Sequence, residues 1–390
     1  MKMTKKSTAF HKLYERSLLS IAVVFCFSLA LFAQNSLLKP GFDKEEYEEL
    51  LRMHVLLYDP LMTDSAKTPV PKPAIFKSIY KSPVMGLDNR WELWKNDGQV
   101  AAINIRGTTK NPVGWLENFY AAMVPAHGEV KLSSSFLFQY HLADHPKAAV
   151  HIGWLIGMAY LAKDILPKID SCYKAGIKDF LIMGHSQGGA ISYLLTSHLY
   201  NLQKQNQLPK DIRFKTYSSA SPKVGNTYYA YEYESMVAGS WANNVVHAAD
   251  WVPEVPFSVQ TLDDFNETNP FKNIDGIIKK QKFFARVALR HAYRKMKNPS
   301  EKARRNYENY LGKYASKSVK KNLPEFEPPV YFKSSNYVRI GPTIILMPDE
   351  AYFKLYPDSK DKIFVHHLPE AYLYLLEKYK VGPAETGNSR

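Results

Sequence analysis

The sequence predicts an α/β fold, a mostly parallel sheet flanked by helices, and three observations carry that prediction. Apolar runs of strand length alternate with amphipathic stretches of helix length from Trp91 to Pro256. One such run, Phe180-Leu181-Ile182-Met183, passes through Gly184-His185-Ser186-Gln187-Gly188 into a helix-compatible stretch with Ala190, Ile191, Leu194, Leu195 and Leu199 on its apolar side. Two further strands follow it, Arg213 to Ser219 and Asn244 to Ala249. With 45% hydrophobic and 23% charged residues over a length of 390, the composition excludes wholesale disorder and allows one large embellished domain or two small ones.

The chain opens with Lys2, Lys5, Lys6, Lys12 and Arg16 ahead of an uncharged apolar run from Leu18 to Ala33. This is the pattern of a secretory signal over residues 1–33, cut near Ala33. It predicts an exported protein, periplasmic or secreted, or one anchored to the membrane if the run is retained. Beyond it Cys172 stands alone, so no internal disulfide is available and the exported chain must be held by its core. Residues 34–90 read as an N-terminal helix and linker. Asp43-x-x-Glu46 before Tyr47, Leu50, Leu51, Val55 and Leu56 predicts a capped helix from Phe42 to Tyr58, and Pro69, Pro71 and Pro73 mark the linker.

A single domain is expected from 91 to 390. Trp91-Glu92-Leu93-Trp94, the turn Asn96-Asp97-Gly98 and Val100 to Ile105 predict strand, turn and strand. Thr109 to Phe136 carries Trp115, Leu116, Phe119, Tyr120, Met123 and Val124 in a broken helical pattern, read as core or as a cover over an apolar site. Val150 to Ile169 reads as a helix with Trp154, Met158, Leu161, Ile165 and Ile169 on one side.

The strand-turn-helix setting of Gly184-x-Ser186-x-Gly188 makes Ser186 a candidate nucleophile, because so tight a turn lifts the serine hydroxyl clear of the sheet. A hydroxyl needs a base to remove its proton, and the base needs a carboxylate to fix its tautomer. Asp250 ends a strand and is followed by Trp251-Val252-Pro253-Glu254-Val255-Pro256, the position from which an open α/β sheet draws an acid. The late histidines His366 and His367 are both candidates for the base. The tetrahedral intermediate needs two backbone donors, and Gln187 after the nucleophile and Thr108 after an earlier strand can supply them.

These stretches resemble the class 3 lipase family, the fungal-lipase-like branch of the α/β-hydrolases. Ile105-Arg106-Gly107-Thr108 resembles its oxyanion strand, Val150-His151-Ile152-Gly153-Trp154 its H-x-G-F segment, and Gly184 to Ala190 its G-H-S-L-G-G-A elbow. Ser219 to Asn226 is similar to its G-S-P-R-V-G-N loop and Val246 to Pro256 to its acid loop. His367-Leu368-Pro369-Glu370-Ala371-Tyr372 matches its H-x-x-x-x-Y segment, so the resemblance implies His367 rather than His366 as the base. It also implies an α/β-hydrolase-type sheet, a lipid or acylglycerol ester as substrate, and no metal or organic cofactor. Two departures are Gln187 where the family has leucine, and a long insertion between acid and base.

That insertion holds most of the chain's net charge of +14: residues 271–321 carry 16 Lys and Arg against 3 Asp and Glu. Phe283, Phe284, Val287, Ala288, Ala292 and Tyr293, and again Tyr307, Tyr310, Leu311 and Tyr314, recur at helical spacing on either side of Pro299-Ser300-Glu301. The expectation is a helical pair packed by its aromatic side, with the basic residues solvated or set against an anionic membrane surface. Nucleic acid is not expected as a partner. An exported carboxylic ester hydrolase acting on lipid esters is therefore predicted. The alternatives are a phospholipase, a short-chain or hydroxycinnamoyl esterase, and a lipid-binding envelope protein without activity.

Overall fold

The computed structural model describes residues 37–57 and 70–380. The expected export signal and part of the linker, 58–69, lie outside the described residues. A compact unit runs from Pro40 onward. It begins with α1 (Lys44–Val55), whose N-terminus Asp43 caps by accepting the Glu46 N–H at 3.0 Å. Strands β1 (Lys77–Lys81), β2 (Trp91–Lys95) and β3 (Val100–Ile105), the short α2 (Pro112–Phe119), and β4 (Met123–Pro125), β5 (His127–Ser133), β6 (Phe136–His141) and β7 (Ala149–His151) follow. The central part is α3 (Ile152–Lys174), β8 (Asp179–His185), α4 (Gln187–Lys204), β9 (Arg213–Ser219), α5 (Thr227–Met236) and β10 (Ala242–His247). A basic segment with α6 (Ile274–Lys279), α7 (Phe283–Glu308) and α8 (Ala315–Asn322) leads back through β11 (Thr343–Leu346) and α9 (Glu350–Leu355) to α10 (Pro369–Lys378).

The main sheet has seven strands in the order β1-β2-β3-β8-β9-β10-β11. β1, β2 and β3 pair antiparallel, and every pairing from β3 to β11 is parallel. This is the α/β-hydrolase type of sheet that the alternation of runs predicts. Because side chains alternate across a strand, each face has its own set of residues. Phe180 and Ile182 of β8 and Phe214 of β9 join Leu194, Leu195 and Leu199 of α4 and Leu155, Leu161 and Ile165 of α3 in the principal core. The alternate positions meet α1: Ser219 Oγ lies 2.6 Å from Tyr47 Oη, Tyr217 Oη donates to Glu46 at 2.6 Å, and Lys215 Nζ pairs with Glu46 at 2.6 Å. The Lys215 side chain is 1% exposed, a cation tolerated there because its carboxylate partner is in contact.

The structure departs from the expected elements at four places. Of Thr109 to Phe136 only α2 is helical; the rest is strand, and Ser133 to Ser135 form the turn between β5 and β6. Glu129-Val130-Lys131-Leu132 alternates exposed and buried, a two-residue period that the spacing of the larger apolar residues obscures. Val150 and His151 belong to β7, and α3 starts at Ile152 with His151 as its cap. β10 lies two residues earlier than expected, at Ala242–His247. Lastly, Pro299 does not separate two helices: α7 runs through it for 26 residues, and Ser300 Oγ donates to the Lys297 carbonyl at 2.9 Å. Nor is the aromatic side of this helix packed, since Phe283, Phe284 and Val287 are 62%, 86% and 54% exposed. Packing is confined to its C-terminal end, where Tyr307 is buried and donates to the Phe257 carbonyl at 2.8 Å.

Candidate active site

Ser186 sits between β8 and α4 at φ 62° and ψ −130°, backbone angles that a side chain makes costly and that persist because the surroundings fix them. Two glycines allow the turn. A Cβ on Gly184 would lie 2.0 Å from the Gly188 carbonyl oxygen, and one on Gly188 would lie 2.3 Å from that of Ile105. Only glycine lets β8, α4 and β3 approach this closely. The Ser186 N–H donates to the Ser219 carbonyl at 2.9 Å, which ties the turn to the end of β9.

The structure brings Asp250 and His367 together across 117 residues, with His367 Nδ1 2.7 Å from Asp250 Oδ2. The Asp250 side chain is fully buried and accepts two more hydrogen bonds, from Tyr372 Oη at 2.7 Å and from the Val252 N–H at 3.0 Å. Three donors on one carboxylate fix both its position and its charge. His366 is turned elsewhere, its Nδ1 2.7 Å from Tyr352 Oη and its Nε2 2.9 Å from Asp358. Behind His367 stands the elbow's own histidine. His185 Nε2 lies 2.8 Å from the His367 carbonyl oxygen and His185 Nδ1 lies 2.9 Å from Ser219 Oγ. Burial holds the His185 imidazole well below its ordinary pKa, so it is neutral and donates to that carbonyl.

Ser186, His367, Thr108 and Gln187 line one cavity of about 1020 Å³. Trp115, Phe119, Trp154, Trp251, Val252 and Phe257 contribute to a mostly apolar lining, and Tyr307 and Leu311 of the basic segment form part of its wall. The insertion is thus a structural part of the site. At the rim Phe119, Phe257 and Ile363 are 60%, 67% and 56% exposed.

The two candidate oxyanion donors are held by a polar network that no local pattern in the sequence reveals. Thr108 Oγ1 donates to Gln187 Oε1 at 2.6 Å and accepts from Asn118 Nδ2 at 2.8 Å. Gln187 Nε2 donates to Glu117 at 2.7 Å, and Asn89 Nδ2 donates to the same carboxyl group at 2.7 Å. The Arg106 side chain, 3.3 Å from the Asp88 carboxylate, braces the loop that presents Thr108. A leucine at 187 could make none of these contacts.

Burial pushes the Glu117 carboxyl up to about 8 from an ordinary 4.5, against the two amide hydrogen bonds that lower it. A carboxyl raised in the folded state binds protons that the unfolded chain has lost, so its contribution to stability is present below about 4.5 and lost as pH rises to about 8. Glu117→Gln is expected to remove this term. Denaturant unfolding of both proteins between these pH values should show the wild type losing up to about 1.4 kcal/mol per pH unit relative to the variant. A constant difference across that range would show that Glu117 does not titrate there.

The fold is an α/β-hydrolase-type sheet, and the site is a strained serine beside a buried histidine–aspartate pair. Residues 102–260 match the family model described as lipase (class 3). Over these residues the chain belongs to the class 3 lipases. Solved structures similar to it include the Rhizomucor miehei lipase propeptide complex, at 19% identity over 56% of this chain and 66% of that one, with a TM-score of 0.39. The lipase from Rhizopus microsporus var. chinensis has 21% identity over 56% and 71% of the two chains and a TM-score of 0.37. Lipase II from Rhizopus niveus has 20% identity over 55% and 75%, again with a TM-score of 0.37. The chain thus spans just under two thirds of the length of the Rhizomucor miehei chain. Curated protein sequences return no match.

Proposed function

We propose that the protein is an exported carboxylic ester hydrolase acting on lipid esters, with Ser186 as nucleophile, His367 as general base and acid, and Asp250 as the orienting carboxylate. The observation that carries this reading is the 2.7 Å contact of His367 with a fully buried Asp250, on the wall of an apolar cavity that Ser186 also lines. Held by Asp250 through Nδ1–H, the imidazole keeps its Nε2 lone pair for the Ser186 proton. Ser186 Oγ attacks the ester carbonyl, the Thr108 and Gln187 N–H groups receive the oxyanion, and His367 passes its proton to the departing alcohol. Water, deprotonated by His367, then cleaves the acyl-enzyme and restores Ser186. Every step is proton transfer and acyl transfer, so no cofactor is called for.

The lipid part of the proposal rests on the cavity. A mostly apolar volume of about 1020 Å³ takes an acyl chain, and its exposed aromatic rim suits a substrate presented at a surface. The test is hydrolysis of p-nitrophenyl esters from acetyl to palmitoyl by the chain without its first 33 or so residues, with Ser186→Ala as control. Turnover should rise with chain length and vanish in the control. Turnover on short chains only would make it a small-ester esterase, and a folded protein with none would be a lipid-binding protein.

A further inference from the structure

The N-terminal half of α7 has no protein partner. No residue from Gln281 to Ser300 is buried, although apolar side chains are abundant there. Phe284, Ala288, Ala292 and Met296 recur every four residues, which places them in one row along the helix, with Ala285 and Leu289 beside them. All six are exposed, Phe284 at 86%, Met296 at 69% and Leu289 at 47%. Lys282, Arg286, Arg290, Arg294 and Lys297 follow the opposite side at spacings of four, four, four and three. From Gly276 to Ser300 the sequence has 8 Lys and Arg and no Asp or Glu.

A solvated helix does not need such a row. A helix in water gains most of its stability from packing its apolar face, and exposed aromatic and aliphatic residues at this density favour association. A protein groove would satisfy the apolar row, but the surrounding cations select a surface that is apolar in depth and anionic at its face. That is the boundary of an anionic phospholipid membrane. The helix is about 39 Å long, and its other end, at Tyr307, is in the wall of the active-site cavity. It is too charged to cross a bilayer, and among the described residues no helix is long and apolar enough to do so.

We propose that α7 is an interfacial anchor: Phe284, Val287, Leu289 and Met296 enter the acyl region of an anionic phospholipid surface while the flanking Lys and Arg meet lipid phosphates. Because Tyr307 and Leu311 of the same segment line the cavity, anchoring sets the mouth of the site beside the lipid layer from which substrate leaves. The inference deepens the lipid-ester reading and rests on it for its purpose, but binding can be measured without turnover.

The experiment is flotation of the Ser186→Ala protein with vesicles of phosphatidylcholine alone and of equal parts phosphatidylcholine and phosphatidylglycerol, at low and high salt. Binding should be confined to the phosphatidylglycerol vesicles and weaken as salt screens the attraction. Replacing Arg286, Arg290 and Arg294 together by Gln should lower the partition coefficient about a hundredfold. Phe284→Ser with Leu289→Ser should lower it at least about tenfold. In an otherwise wild-type chain both variants should keep full turnover of a soluble short-chain ester, since no catalytic group is touched, and this also reports that they fold. Equal binding to both vesicles, insensitivity to salt, or unchanged binding by either variant would overturn the proposal. So would absence of vesicle binding together with a dimer that the apolar variant dissolves, which would assign the row to a second copy of the chain. If esters are not hydrolysed but selective binding persists, the anchor stands and the hydrolase reading falls.

Discussion

Ser186→Gly is expected to abolish turnover, by about 10⁶-fold, and to make the protein more stable. The two effects have separate causes at one residue. Loss of Oγ removes the nucleophile, leaving only what the oxyanion donors and substrate binding can do. Loss of Cβ relieves a backbone held at φ 62° and ψ −130°, a strain of about 1–3 kcal/mol. Glycine's greater freedom in the unfolded chain takes back about 0.5–1 kcal/mol, so a net gain of roughly 1 kcal/mol should appear in denaturant unfolding. Ser186→Ala separates the causes: activity should be lost and the strain kept. If Ser186→Gly is no more stable than Ser186→Ala, the turn is not strained in the sense proposed.

Asp250→Asn should cost about 10⁴-fold in kcat while leaving the fold in place. The carboxylate accepts from the Val252 N–H at Oδ1 and from both His367 and Tyr372 at Oδ2. If the asparagine keeps its carbonyl oxygen toward Val252, its NH₂ faces two donors. His367 must then present a bare Nδ1 and carry its proton on Nε2, the tautomer unable to accept from Ser186. Tyr372→Phe provides the contrast, because it removes one donor and preserves the tautomer. A loss of roughly tenfold is expected there. Measuring kcat for both variants on one ester decides the matter: equal losses would mean that Asp250 only packs the loop and does not set the tautomer.

These residues differ in how readily the sequence discloses them. The elbow is legible because its constraint is local: a strand, a serine between small residues, and a helix follow one another without interruption. Asp250 is legible for a similar reason, at the end of a strand with prolines behind it. The choice between His366 and His367 is not local. The two are neighbours with similar flanks, and only the path of α10, which brings Tyr372 to Asp250, decides which ring turns inward. The network from Asn89 through Glu117 and Gln187 to Thr108 leaves no periodic trace, since its members lie on four segments and meet only when β3, α2 and α4 converge. In the stretch after Thr109 large apolar residues fall at spacings that suit a helix, whereas burial of Val130 and Leu132 follows the two-residue period of a strand. For α7 the sequence discloses the helix and its charge but not its lack of cover, because an apolar row reads alike whether protein or lipid lies against it.

The helix α1 bears on where this protein can be divided. It lies well before the region that matches the family model, yet it covers one face of β8 and β9, and Val55 at its end reaches the cavity. Cut away, it would leave Lys215 as a bare cation on an uncovered sheet and Ser219 without the tyrosine hydroxyl beside it. The stretch that marks kinship and the stretch that folds are therefore different objects. An expression boundary drawn at the first would discard the second.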